Sequence, residues 1–124
     1  MLDIFPFEDN YTDLVIADLS LHYFREKDTY RIISEIKRIL RPNGYLFLRL
    51  NSTNSTEYRK IIEKGEGQIE PNLFYSKNME KRFFSQTDIN KFFKDWKFVC
   101  MKEENMSRWC LDKIIWKCAV QNIK

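Results

Sequence analysis

The sequence predicts an α/β fold: parallel strands joined by a crossover helix, a C-terminal antiparallel hairpin, and helices packed on the sheet. Three observations predict it. Leu14-Val15-Ile16-Ala17 is an unbroken apolar run, the pattern of a strand buried on both faces. Ile32, Ile33, Ile36, Ile39 and Leu40 follow at three- and four-residue spacing, which makes one apolar stripe on a helix. Tyr45-Leu46-Phe47-Leu48-Arg49-Leu50 then reads as a second buried strand. Strand, helix and strand in close succession form a crossover unit, so the two strands are expected to be parallel neighbours with a right-handed connection.

Residues 1–12 read as an entry loop, with Phe5-Pro6-Phe7 as an apolar plug and Glu8-Asp9-Asn10 as a turn. The crossover helix spans 27–40, with Arg31, Lys37, Arg38 and Arg41 off its apolar stripe. Pro42 cannot extend a helix and biases Arg41 away from helical geometry. Asn43-Gly44 supplies a turn that tolerates positive φ. Residues 51–85 are irregular and hold a short helix near 56–63, where Tyr58, Ile61 and Ile62 share a side. Gly65-Glu66-Gly67 and Pro71-Asn72 break it. A long, charged, weakly periodic connection of this kind is expected to act as a functional lid.

Ser85 with Asp88 three residues on fits a capping box. Ile89, Phe92, Phe93 and Trp96 continue it as an amphipathic helix. Strands are expected at 97–103 and 111–121, joined by the short loop 104–110 as an antiparallel hairpin.

At 124 residues the chain is expected to be one domain, 1–124. Ten Phe, six Tyr and three Trp furnish a substantial core, and only three Gly and three Pro argue against disorder. The net charge of +3 has acids and bases well mixed, a solvated surface that gives little ground for a nucleic-acid partner. No apolar stretch approaches a membrane span and no signal peptide is evident, so the expected location is cytoplasmic. Cys100, Cys110 and Cys118 lack C-x-x-C spacing and the chain has one His, so no metal site is expected and the cysteines read as buried free thiols.

Several local patterns resemble the class I S-adenosylmethionine-dependent methyltransferases. Phe5-Pro6-Phe7-Glu8-Asp9-Asn10 with Asp13-Leu14-Val15 is similar to the family's "LPF…D…FDLV" lead-in to its fourth strand. Leu21-His22-Tyr23 resembles the "LH" segment after that strand. Glu35-Ile36-Lys37-Arg38-Ile39-Leu40-Arg41-Pro42-Asn43-Gly44 resembles the family's "E..RvLkPGG" exit, with Asn43 in place of the first glycine. Lys81-Arg82-Phe83-Phe84 and Arg108-Trp109 resemble a small bacterial subgroup labelled tellurite-resistance-like. The resemblance covers essentially the whole chain. It implies a truncated Rossmann-like methyltransferase fold, equivalent to the C-terminal half, in which the last strand runs antiparallel between its neighbours.

The family's glycine-rich loop, its ribose-holding acid and its adenine-contacting acid have no counterpart that can be placed here; Asp3 lies closest to the last of these but late in register. The resemblance implies S-adenosylmethionine as cofactor, bound doubtfully by this chain alone, and methyl transfer to an unidentified small molecule only when complemented. Asp18, Leu19 and Ser20 occupy the position that flanks the cofactor's methionine end. His22 and Tyr23 stand behind them as catalytic candidates. Asn51 and Ser52 would face an acceptor, and Arg82 and Arg108 would hold an acidic one. Each has a plainer reading: Asp18 or Ser20 as a helix cap, His22 as a packed histidine, the arginines as solvated. Methyl transfer depends mainly on alignment, so a general base is optional.

The strand at 13–17 carries no Lys or Pro to blunt an open edge. The expected partner is therefore a second copy, in a homodimer, or a complementing N-terminal half. The alternative function is a non-catalytic oligomerising or interaction module built on the same half-fold.

Overall fold

The computed structural model describes residues 5–65, 67–76, 79–106 and 113–124. The elements in chain order are β1 (Thr12–Asp18), α1 (Glu26–Ile39), β2 (Leu40–Asn51), α2 (Thr56–Lys64), β3 (Gln68–Glu70), β4 (Leu73–Ser76), β5 (Met79–Arg82), α3 (Gln86–Phe92), β6 (Trp96–Asn105) and β7 (Ile114–Asn122). The main sheet has the order β1, β2, β7, β6. β1 lies parallel to β2, with Leu14 opposite Tyr45 and Asp18 opposite Arg49. β7 runs antiparallel to both β2 and β6 and sits between them. The crossover unit and the closing hairpin are thus as expected from the sequence.

α1 begins with Glu26 and Asp28 and ends with Lys37 and Arg38, charges that match the helix dipole. Its stripe of Ile32, Ile33, Ile36 and Ile39 is buried. The chain passes straight into β2 at Leu40, whose N–H closes the helix on the Ile36 carbonyl. At the exit turn Asn43 takes the positive φ of 68°. Gly44 is needed for space instead: a Cβ there would meet the carbonyl oxygens of Arg41 and Asp13, each at 3.0 Å. Asn122 secures the same corner from β7, its Nδ2 donating to the Lys37 and Leu40 carbonyls at 3.1 Å, so carbonyls left over at the helix end are satisfied.

The core lies on one face of the main sheet. Leu46, Leu48 and Leu50 from β2 and Trp116, Cys118 and Val120 from β7 pack with the α1 stripe and with Ile89, Phe92 and Phe93 around α3. The capping box forms in full, with Ser85 and Asp88 exchanging side-chain-to-backbone bonds.

Three expectations are corrected. β1 is not buried on both faces. Ala17 is buried and Val15 packs against the core, but Leu14 is 44 % and Ile16 67 % exposed. The reason is that both core helices lie on one side; among the described residues nothing covers the other, where Tyr45 and Phe47 are exposed beside them. The region 51–85 is not irregular throughout. After α2 it folds into a three-stranded antiparallel sheet, β3, β4, β5. Its strands are three or four residues long, too short to show an alternation. Finally, Cys118 is buried but Cys100 is exposed; Cys110 lies outside the described residues.

Candidate functional site

Open α/β sheets take ligands beyond the carboxyl ends of their parallel strands. Here those ends are Asp18 on β1 and Asn51 on β2. Asp18 and Arg49 face each other across the strand pair. Their side chains form a two-pronged ion pair, Arg49 Nη2 donating to Asp18 Oδ2 at 2.7 Å and Nε to Oδ1. The Arg49 guanidinium holds the Asp18 carboxyl below its ordinary range. Arg49 in turn stays firmly protonated, its pKa raised by the bond to Asp18.

Leu19 then adopts a left-handed φ of 54°, held by its N–H on the Arg49 carbonyl at 3.1 Å. A side chain in that region costs on the order of 1 kcal/mol. The turn separates its neighbours. Asp18 borders a hollow on the open sheet face with Ile16, Phe47 and Arg49. Ser20 lines a 430 Å³ groove on the other side, walled by Phe5, Val15, Ala17, Ile32 and Ile36. Neither residue caps α1. The N-cap is Arg25, without a side-chain bond, and the free N–H of Glu26 is taken by Glu70 Oε2 from β3 at 2.8 Å.

His22 is buried, and among the described residues its Nδ1 has no hydrogen-bond partner. Burial, with Lys81 and Lys113 adding repulsion, pushes its pKa down to about 4. The imidazole is therefore neutral at physiological pH. Tyr23 is exposed, its ring edge-on to His22 at 4.3 Å.

At the end of β2, Asn51 is buried with Nδ2 unpartnered among the described residues. Ser52 is also buried. Its Oγ donates to Glu103 Oε2 at 2.7 Å and accepts the Asn54 N–H at 3.0 Å. Asn54 Nδ2 reaches the same carboxylate at 2.9 Å. Ser55 adds a buried hydroxyl, also without a partner among the described residues. Neither Glu103 nor Ser55 stands out in the sequence: one reads as the charged end of a strand, the other as one of several polar residues in a turn.

One stretch of chain stitches the two strand ends together. The Arg82 N–H donates to the His22 carbonyl at 2.6 Å, and the Phe84 N–H donates to the Asn51 carbonyl at 2.7 Å. The structure thus gathers His22, Asn51, Ser52 and Arg82 around residues 82–84, and leaves Asp18 on the open face. Arg82 is buried and engaged within the fold. Its Nε donates to the Phe24 carbonyl at 3.1 Å and its Nη2 to Glu70 Oε2 at 2.7 Å, with the Phe92 ring 5.6 Å away. Asp3 and Arg108 lie outside the described residues. Also among the described residues, no group of three or more His, Cys, Asp or Glu is placed to hold a metal ion.

A family model described as a methyltransferase domain matches residues 1–48. The fold is shared with solved methyltransferase structures over nearly the whole chain. An S-adenosylmethionine-dependent methyltransferase from Methanosarcina mazei superposes with a TM-score of 0.74 at 20 % identity, over 95 % of this chain and 62 % of that one. The fold is that of the class I S-adenosylmethionine-dependent methyltransferases. Another such methyltransferase, the Burkholderia thailandensis 1,6-didemethyltoxoflavin-N1-methyltransferase with bound 1,6-didemethyltoxoflavin and S-adenosylhomocysteine, matches with a TM-score of 0.71 at 12 % identity, over 94 % of this chain and 46 % of that one. An N-methyltransferase from Bradyrhizobium japonicum, in complex with S-adenosylhomocysteine, matches with a TM-score of 0.62 at 14 % identity, over 98 % of this chain and 52 % of that one. The chain therefore spans roughly half to three-fifths of the length of these methyltransferases. No curated protein matches it by sequence. S-adenosylmethionine is the cofactor of the family, and two of these neighbours hold its demethylated product.

Proposed function

We propose that this chain forms the acceptor-facing part of an S-adenosylmethionine-dependent methyltransferase that acts on a small molecule. The observation that carries the reading is the parallel pair β1 and β2, whose carboxyl ends gather buried polar side chains, His22 Nδ1 and Asn51 Nδ2, left without partners among the described residues. Unpaired buried polar atoms are costly unless something hydrogen-bonds to them. The cofactor supplies an electrophilic methyl group on a sulfonium.

Ser20 offers the cofactor's methionine end one hydroxyl, and the groove beside it is otherwise lined by apolar side chains, which give that end's carboxylate and ammonium no charged partner. The carboxylate at the end of β1, Asp18, is committed to Arg49 and is not free to hold ribose hydroxyls. Asn51, Ser52 and neutral His22 would orient an uncharged acceptor and exclude water. Alignment of acceptor, methyl and sulfur supplies most of what the reaction needs. The cytoplasmic location expected from the sequence belongs to the same reading.

The test is a two-dimensional amide NMR titration of the chain with S-adenosylmethionine up to about 10 mM, a range that detects interactions of only a few kcal/mol. Shifts are expected at residues 18–23 and 51–53. No shifts, or shifts confined to other regions, overturn the proposal. The open apolar face around Leu14, Ile16 and Phe47 favours a second reading, a non-catalytic interaction module, which predicts a silent titration.

A further inference from the structure

The residues gathered at the strand ends are shut in. His22, Asn51 and Ser55 are each 3 % exposed and Ser52 is 0 % exposed, so a ligand reaches their side chains only when a neighbouring element moves. The small sheet is tied in place. Glu70 holds the first N–H of α1, and Arg82 is engaged by the Phe24 carbonyl and by Glu70. α2 is built differently from α1 and α3. None of its nine residues is buried, whereas α1 and α3 bury apolar side chains. Its N-cap, Ser55, makes no capping bond, in contrast to the full box on α3. Its C-cap, Gly65, has a left-handed φ of 72° and open space where a Cβ would stand. A helix this short has little stability of its own, so α2 stays where its side chains grip.

Two grips hold it, both from its first turn. Tyr58 Oη donates to Asn72 Oδ1 at 2.8 Å, and Asn72 Nδ2 donates in turn to the Asp88 carboxylate at 2.8 Å. The Tyr58 ring stands 5.4 Å from Phe83 and 5.9 Å from Phe74. Lys81 Nζ donates to the two Glu57 carboxylate oxygens at 2.9 and 3.1 Å. The second grip lies beside the site. Lys81 precedes Arg82, whose N–H donates to the His22 carbonyl, and its charge opposes protonation of the His22 ring. α2 also leaves directly from the end of β2, through a turn closed by the Ser55 N–H on the Ser52 carbonyl.

We propose that α2 is a lid on the strand-end site, latched by Tyr58 to Asn72 and by Glu57 to Lys81. Its hinges are the Ser52–Ser55 turn and Gly65, element ends of the kind that absorb backbone rotation. Lifting α2 uncovers Ser55 and the turn that carries Ser52; closing it excludes water. The role in admitting an acceptor rests on the methyl-transfer reading. The movement itself does not.

Amide exchange of the full chain, followed by NMR, reads the movement as a local opening. Residues 59–65 are expected to exchange together, ahead of β2, β7 and α3. Tyr58→Phe removes one hydrogen bond and is expected to speed those residues about fivefold, with β2 and β7 unchanged. A second measurement ties the opening to the site. In a chain whose three native cysteines are replaced by alanine, Ser55→Cys is expected to be labelled by a water-soluble thiol reagent through the same opening, so that adding Tyr58→Phe speeds labelling by the same factor. Exchange of residues 59–65 only together with the whole molecule overturns the proposal, as does labelling that ignores Tyr58→Phe. Either result alongside cofactor shifts at residues 18–23 removes the lid and leaves the methyl-transfer reading standing. A silent cofactor titration with the opening intact removes the acceptor role and keeps the lid.

Discussion

Arg82 sits where three pieces of chain meet, and its guanidinium ties the Phe24 carbonyl to the Glu70 carboxylate, which itself holds the first N–H of α1. Removing one partner of a buried pair leaves the other uncompensated. Arg82→Met is therefore expected to cost about 3 kcal/mol in urea unfolding; a change under roughly 0.5 kcal/mol, within the usual surface range, would mean the side chain is free for an acceptor. His22 is the other consequential residue. Its folded pKa of about 4 lies below its ordinary 6.5. The unfolded chain then binds more protons between those values, so the neutral histidine contributes stability above pH 6.5 that is lost as pH falls toward 4. The full loss is roughly 3 kcal/mol. Unfolding midpoints at pH 7.5 and 4.5 measure it, and His22→Gln should flatten the slope.

At the scale of elements, α3 shows how much a short helix leans on its ends. It has seven residues, too few to be stable by propensity. The capping box and the burial of Ile89, Phe92 and Phe93 hold it. Ser85→Ala is expected to lower stability by about 1 kcal/mol, read as a shift of the thermal midpoint, and Ser85→Asp should recover most of it. A larger loss would implicate the adjoining strand ends, since Phe84 bridges to Ser52 and accepts the Trp116 indole N–H at 2.8 Å. The small sheet of β3, β4 and β5 contributes at the same scale. It supplies Glu70 and Arg82, so it anchors the start of α1.

At the scale of the molecule, the asymmetry of the main sheet dominates. One face holds the core; the other presents Leu14, Ile16, Tyr45 and Phe47 to solvent, a contiguous apolar patch of a kind that usually marks an interaction surface or an aggregation risk. Phe47→Lys is expected to raise solubility while moving stability by no more than about 0.5 kcal/mol, since the ring lies exposed on the open face. A clear loss of stability would show that the face is covered in solution. Among the described residues no helix is long and apolar enough to cross a membrane.

Sequence pattern determined the crossover unit, the α3 cap and the closing hairpin, because each is a local pattern with its own punctuation: Pro42 and Asn43 after α1, Ser85 before α3, alternation in β7. The sequence also marked Asp18, His22, Asn51 and Ser52 as residues near strand ends. It could not say what they touch. Only the tertiary structure decided that Arg49 holds Asp18, that Glu103 reaches back to Ser52 from 51 residues away, and that Arg82 is enclosed. It also decided that β1 has one covered face and one open one. An apolar run reports a preference for burial, whereas burial itself depends on which side the helices take, and that is set by connections across the whole sheet.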